Sequence, residues 1–341
     1  MGDFEFHVLS VNMERGDLYQ DFKELDVTIF HHTLGYFNLK KFRSFYLLLK
    51  NNAYDTVCTF NGNFGGVPLT IAKTAGVENR IAFYRRSTNA FGNNKLKRLY
   101  NNFVNSLVRK NATFILSNSE TAFKNFHGDV YQSDSRYKII KNGVSAGDFN
   151  IPFSNYEARK RFNFPNDCFM IGHVGRFDPA KNHETIFKVI QSFKENHNNF
   201  RFVFCGKDTN SVAFISKLEE YNIQDVVIAL GLRSDLPMLY RALDVFYFPS
   251  ITEGQPNALI EAMISGLPVV TSNISPILET LPAESEFLAL SPLDVNASYE
   301  ILKGFYTGNI YTELYKHEKW AKENFDPNKR FKELKLILNN S

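Results

Sequence analysis

Glu253 and Glu261 stand eight residues apart in the stretch Pro249-Ser-Ile-Thr-Glu253-Gly254-Gln-Pro256-Asn257-Ala258-Leu259-Ile-Glu261-Ala-Met-Ile-Ser-Gly-Leu-Pro268. Apolar runs flank it, Asp244 to Pro249 before and Val269 to Ser272 after, and both read as buried parallel strands. Pro256 suits a first helical turn, where a missing N–H and a fixed φ cost nothing. The helix runs to about Ser265 and stops at Gly266-Leu267-Pro268. The result is one βαβ unit with a polar loop at the C-terminal end of its first strand, the end at which open α/β sheets bind ligands. The N–H groups of Asn257, Ala258 and Leu259, with the positive end of the helix dipole behind them, suit a phosphate or pyrophosphate. A phosphate there repels both carboxylates, which are better placed to accept hydrogen bonds from sugar hydroxyls. An arbitrary pair of glutamates at this spacing is a solvated loop residue and a surface helix residue. The strand, loop and helix around this pair favour a ligand.

A second segment reads Gly172-His173-Val-Gly175-Arg176-Phe-Asp-Pro-Ala-Lys181-Asn-His183. Gly175 ends a strand and lets the following loop lie close to a ligand. Arg176 and Lys181 then offer a bidentate guanidinium and an ammonium point charge, enough to neutralise a diphosphate leaving group. The alternative is a solvated basic loop. His173 alternates into its strand as a core residue, His183 flanks the loop, and His31 and His32 end another strand as weaker candidates.

Together the two segments resemble the donor-site motifs of retaining GT-B glycosyltransferases of family 4, the glycosyl transferases group 1. The likeness covers the C-terminal half strongly and the N-terminal half loosely. It implies a nucleotide-sugar donor, with Glu253, Arg176 and Lys181 as the catalytic set. By the same resemblance Glu261 holds ribose hydroxyls, and Glu253 holds those of the donor sugar. Gly175 and the Gly254 to Leu259 loop, Pro256 included, approach the phosphates. Gly206-Lys207 and Leu232-Arg233, each just past a strand, border the base, although those side chains could equally be solvated. No cofactor and no metal are expected, because Arg176, Lys181 and the helix dipole can meet the developing charge, and the chain has no Asp-x-Asp motif. Retention is implied by the resemblance alone, through front-face attack in which the leaving phosphate takes the acceptor's proton. The family often has a histidine near the end of the strand that here reads Ile81-Ala-Phe-Tyr-Arg85-Arg86. Arg85 and Arg86 in its place leave two readings open, contact with acceptor diphosphate or donor phosphate, or a structural salt bridge. The family also has a first strand and a Gly-Gly loop ahead of anything like Phe4, so the expectation is a chain that starts after that unit.

A chain of 341 residues can bury two cores, and 44% hydrophobic with 22% charged residues is ordinary globular composition. Its 33 phenylalanines read as core and interface filling, with some available to face lipid. No apolar run reaches the roughly 18–20 residues of a membrane span, and the N-terminus lacks a signal peptide's basic and apolar regions. Cys58, Cys168 and Cys205 each fall in an expected strand without metal-ligand spacing, which suggests buried thiols in a reducing, cytoplasmic setting. Net charge is +3, yet Arg80 to Lys141 holds twelve Lys and Arg against Glu120, Asp129 and Asp134. With no helix-turn-helix, zinc module or RNA-binding motif beside it, this basic 80–141 region points away from nucleic acid. An anionic membrane surface, reached peripherally, or a polyprenyl-diphosphate-linked acceptor suits it better.

Expected strands include Phe4–Ser10, Asp26–His32, Arg80–Tyr84 with its end at Arg85 to Asn89, Arg201–Gly206, Val226–Gly231 and Phe287–Leu290. Expected helices include those near Asp17–Glu24, Phe37–Lys50 and Asn94–Lys110. Strands alternating with helices along the whole chain predict an α/β fold of doubly wound parallel sheets. With the resemblance this becomes GT-B, two Rossmann-like domains facing a cleft. The expected domains are 1–147 on the acceptor side, a linker at 148–166, a nucleotide-sugar domain at 167–309, and helices at 310–341 that return to the first domain. The expected function is transfer of a sugar, most simply from a UDP-sugar, to a glycan or lipid-linked acceptor in bacterial surface polysaccharide synthesis. The rival from another class is a non-catalytic nucleotide-sugar-binding protein of the same descent. A nucleotide-sugar epimerase on this fold is disfavoured by the paired donor motifs.

Overall fold

The structure, a computed structural model, describes residues 4–10, 19–25, 27–35, 38–88, 95–310 and 317–339. Asp17, Asp26, Phe37, Asn89 and Asn94, which bound expected elements, lie outside those residues, as do parts of the expected C-terminal helices. The strands are β1 (His7–Ser10), β2 (Thr28–His31), β3 (Thr56–Thr59), β4 (Asn79–Tyr84), β5 (Phe114–Ser117) and β6 (Tyr137–Ile139). They continue as β7 (Phe169–Val174), β8 (Phe200–Cys205), β9 (Val227–Ala229), β10 (Val245–Phe248), β11 (Val269–Ser272) and β12 (Ala289–Leu290). β1 and β2 form a parallel pair, and β3 to β6 lie side by side in chain order. The other six form a parallel sheet in the order β12-β11-β10-β7-β8-β9. Contacts divide the chain into two compact units. The first is Met1–Phe83, Asn93–Ile115 and Leu338–Ser341, and the second is Tyr84–Gly92 and Leu116–Ile337.

Alternation along the strands explains the six-stranded sheet. Met170, Val174, Val203, Cys205, Phe246, Phe248 and Val269 face one apolar cluster, while Ile171, Phe202, Phe204, Val245, Tyr247 and Val270 face another. A strand covered on both faces needs apolar residues at every position, which is the pattern of parallel sheets between helices. The second cluster is rich in phenylalanine, with Phe187, Phe193, Phe200, Phe202, Phe204 and Phe214 at 1% exposure or less. Each such ring contributes roughly 1.5–3 kcal/mol by leaving water, so much of the aromatic excess is core.

Three expectations change. Phe287 to Leu290 is not one strand: Ala283–Leu288 is a 3-10 turn and only Ala289–Leu290 is extended. Pro282, Ser285 and Leu288 are buried at every third position while Glu286 and Phe287 are exposed, the spacing of a 3-10 helix rather than a strand. Cys168 lies just ahead of β7, and Cys58 is only partly buried, unlike Cys168 and Cys205. The strand expected from Phe4 begins at His7.

The stretch 148–166 holds a helix, Asn155–Arg161, started by a capping box between Ser154 and Glu157. From it Arg159 donates to the carbonyls of Ala242 (3.0 Å), Asn166 (2.8 Å) and Cys168 (3.1 Å) and to the Asp244 carboxylate (2.6 Å). The same Asp244 oxygen accepts from the Met170 N–H at 2.7 Å, so one guanidinium locks the starts of β7 and β10 together. Replacing Arg159 with Met strands a half-buried carboxylate and three carbonyls. The expected loss is about 3–5 kcal/mol of unfolding free energy by urea titration, and a loss under 1 kcal/mol would show that the network is not structural.

Candidate functional site

The six-stranded sheet reverses its direction of growth between β7 and β10, since the chain places β8 and β9 on one side of β7 and β10 to β12 on the other. Loops leaving two such neighbours diverge and open a crevice at the strands' C-terminal ends. Both motifs of the sequence are on those loops. Ile251 N–H donates to the Ala180 carbonyl at 2.9 Å, and Asn182 Nδ2 donates to the carbonyls of Pro249 (3.0 Å) and Pro292 (2.5 Å). Asn182 holds a left-handed conformation, φ 59° and ψ 42°, which asparagine tolerates better than most residues.

Lys181 and Glu253 meet there. Lys181 Nζ donates to Glu253 Oε1 at 2.6 Å, with side-chain exposures of 18% and 12%. The ammonium also sits 4.6 Å from the centre of the buried Phe248 ring, a cation–π contact. Arg176 is different. Its side chain is 62% exposed, and Nε is 3.6 Å from Asp178 within its own loop, a pairing worth little in water.

The Glu253 loop is held on its other side by the segment after β4. Ser87 Oγ donates to the Glu253 carbonyl, and the Thr88 and Thr252 hydroxyls pair at 2.9 Å. A Cβ on Gly254 would lie 2.4 Å from the Arg85 carbonyl oxygen, so only glycine allows this approach. Arg85 and Arg86 therefore adjoin the loop through their backbone. Asn142 completes the frame: its N–H donates to Gln255 Oε1 at 2.5 Å, and its Nδ2 donates to the Gln255 carbonyl (3.0 Å) and Asn257 Oδ1 (2.7 Å). Pro256 caps the helix Asn257–Ile264 in extended conformation instead of occupying its first turn. The first helical bond runs from Ile260 N–H to the Pro256 carbonyl. The N–H groups of Asn257, Ala258 and Leu259 thus lie outside the helical ladder.

On the β8 side the floor is backbone. Gly206, at φ +146°, would carry a Cβ 2.3 Å from the Gly175 carbonyl oxygen, so the two glycines pack main chain on main chain. Leu232 is 77% exposed just past β9, while Arg233 is tied to Asp235 at 2.7 Å in its own loop. Among the described residues no cluster of three His, Cys, Asp or Glu could hold a metal ion.

Residues 154–314 match the family described as glycosyl transferases group 1. The capsular polysaccharide biosynthesis glycosyltransferase CapH of Staphylococcus aureus is 29% identical over 80% of this chain and 74% of its own length. A UDP-Gal:alpha-D-GlcNAc-diphosphoundecaprenol alpha-1,3-galactosyltransferase of Escherichia coli is 27% identical over 70% of this chain, which spans 62% of that enzyme. Among solved structures, Anabaena HepE in complex with UDP superposes with a TM-score of 0.81 at 16% identity, covering 98% of this chain and 92% of HepE. The chain resembles the group 1 GT-B glycosyltransferases. Its fold is the α/β fold of parallel sheets that GT-B neighbours share.

Within this candidate site, sequence reasoning missed Asn142, Asn182, Gln255 and Tyr240. Asn182 and Gln255 sit inside the motifs, so adjacency could have flagged them. Tyr240 carried no signal. Its hydroxyl donates to Glu261 Oε2 at 2.9 Å and to the Ala258 carbonyl at 3.2 Å. Burial raises the Glu261 carboxyl above its usual range, and the Tyr240 hydrogen bond works against that rise. Burial, then the Glu261 charge, pushes the Tyr240 phenol well up.

His173 and His183 lie beneath the Lys181 loop, rings 5.1 Å apart. His173 Nδ1 is 3.0 Å from the Tyr247 carbonyl, which makes it the donor. Burial, followed by His183, holds His173 well below the usual imidazole range, and burial pushes His183 down to about 4. The unfolded chain gains these protons near 6.5, while the folded chain resists them to lower pH. Stability is therefore present above the unfolded value and is lost as pH falls from about 6.5 towards 4, by up to about 1.4 kcal/mol per pH unit per histidine. Urea midpoints between pH 7 and pH 4.5 should fall less steeply for His183→Gln than for the natural chain. Equal slopes would remove His183 from the account.

Proposed function

We propose that the protein is a glycosyltransferase that moves a sugar from a nucleotide-sugar, a UDP-sugar first, to a glycan or lipid-linked acceptor in surface polysaccharide synthesis. The observation that carries this is the Lys181–Glu253 pair at the switch point of the sheet, beside the free end of the helix Asn257–Ile264. An ammonium has three N–H bonds and a carboxylate two oxygens. The pair uses one of each, so Lys181 retains donors for a phosphate and Glu253 an acceptor for a sugar hydroxyl. The names of relatives support the class of substrate. CapH is a capsular polysaccharide glycosyltransferase, the E. coli relative uses UDP-Gal and a diphosphoundecaprenol-linked acceptor, and HepE was solved with UDP and UDP-glucose.

In this reading the helix N–H groups, Arg176 and Lys181 take the diphosphate as its bond to the anomeric carbon breaks, without a metal ion. Glu261 and Tyr240 hold ribose hydroxyls, Leu232 lies against the base, and configuration is retained. The basic 80–141 region serves the acceptor's membrane, because Lys95, Lys97 and Arg98 share the helix Lys95–Asn111 with exposed Leu99 and Phe103.

The test is a calorimetric titration with UDP, GDP and ADP, followed by release of sugar from matching donors in EDTA. Glu253→Gln should cut turnover by about 100-fold or more while UDP affinity changes little. Arg176→Ala and Lys181→Ala should weaken both. Equal loss of UDP binding in all three would sink these roles, and UDP binding with no transfer to any lipid-linked acceptor would favour the non-catalytic rival.

A further inference from the structure

We propose that Asn142 is a positioning residue that keeps the start of the helix Asn257–Ile264 uncapped, so that its N–H groups stay open to a diphosphate; the choice of ligand rests on the transferase reading. Local sequence favours another arrangement. Asparagine is among the strongest N-cap residues, whereas proline has no side-chain acceptor. Left to its own sequence, the helix would begin one residue later, with Asn257 as the cap and its Oδ1 accepting from the Leu259 N–H. That N–H would then be closed off within the helix, and Asn257, turned to extended backbone, would aim its own N–H elsewhere.

The structure has the cap at Pro256 instead, at φ −79° and ψ 110°, with no side-chain bond to close it. Among the described residues, the N–H groups of Asn257, Ala258 and Leu259 make no hydrogen bond. Asn142 stands in the way of the alternative. Its Nδ2 donates to Asn257 Oδ1 at 2.7 Å and to the Gln255 carbonyl at 3.0 Å, and its N–H donates to Gln255 Oε1. All three oxygens lie within two residues of the helix start, and the bonds to Asn142 commit them elsewhere. Asn257 is otherwise exposed, so its bond to Asn142 decides where its amide points.

Asn142 is itself fixed from both sides. It is 7% exposed, and Asn118 Nδ2 approaches its Oδ1 at 3.5 Å, in keeping with an amide whose nitrogen faces Gln255 and Asn257. Before it, the Ile140 N–H donates to the Ser117 carbonyl at 2.8 Å, and after it the Val144 N–H donates to the Phe325 carbonyl at 2.9 Å. A Cβ on Gly143 would lie 2.6 Å from Pro327 Cα, so the backbone there has little room to shift. A side chain supported in this way can hold a neighbour's geometry against its local preference.

Two measurements on the full chain test this. Without ligand, amide hydrogen exchange at Leu259 should slow about tenfold in Asn142→Ala, because the released Asn257 caps the helix. Adding Asn257→Ala should return it towards the rate of the natural chain. A mere loss of packing would speed exchange in the single variant, and that result, or no change, overturns the proposal. With ligand, UDP should bind Asn142→Ala about tenfold more weakly by calorimetry, and the double variant should recover most of the loss. A double variant no better than the single one overturns the link between the cap and the diphosphate. A natural chain that binds none of UDP, GDP and ADP refutes the transferase reading, and exchange at Leu259 still decides the role of Asn142. Should Asn142→Ala fail to fold, Asn142→Leu keeps the volume without the side-chain donors and is held to the same outcomes.

Discussion

The reversal of strand order at β7 is the constraint on which the site depends. A strand with its successor on one side and a later strand on the other must send two loops apart over its C-terminal end. Here those loops carry the only charges that meet across the gap among the described residues, Lys181 and Glu253. Loops that diverge need stitching, and the chain provides it with uncharged groups: Ile251 on Ala180, and Asn182 on Pro249. The ion pair is therefore not asked to hold the loops in register by itself. That matters, because an isolated pair stabilises weakly and would be disrupted by any ligand that competed for either partner.

Packing reaches the site through Phe248. Its ring is fully buried, stacks on Phe246 and His173 at 5.7 Å each, and supports the Lys181 ammonium from below. A core residue thus sets the height of the Lys181 ammonium. The neutral histidines under the same loop follow from this. A protonated imidazole close to Lys181 would add like charge in a medium that screens poorly, so burial of His173 and His183 keeps the positive charge on the Lys181 side chain.

Much of this was legible in the sequence. The strands of the six-stranded sheet other than β12 announced themselves as apolar runs, and Gly175 and Gly254 marked the loops that follow β7 and β10. Local pattern reports local structure. What it does not report is pairing at a distance. Asn142 reaches Gln255 and Asn257 from the far side of more than a hundred residues, and Tyr240 meets Glu261 from a different helix, so neither leaves a periodic trace. The 283–288 turn was misread for a related reason. A short window holding Phe and Leu fits a strand as well as a 3-10 turn, and which positions are buried decides between them.

Arg176 and Lys181 look alike in a motif and differ in the fold. Lys181 is fixed before any ligand arrives, by an ion pair and an aromatic face, so little rotamer entropy remains to be lost when it takes a phosphate oxygen. Arg176 extends into solvent with a weak partner in its own loop, and ordering it costs about 2 kcal/mol of rotamer freedom. A preset point charge suits a group that must be held still from the start. A planar fork that closes late suits one whose charge grows as the bond breaks, since interactions that strengthen towards the transition state are the ones that accelerate reaction. On the proposed transferase reading the two cations serve different moments of one displacement, and exchanging the two residue types would lose what their surroundings supply.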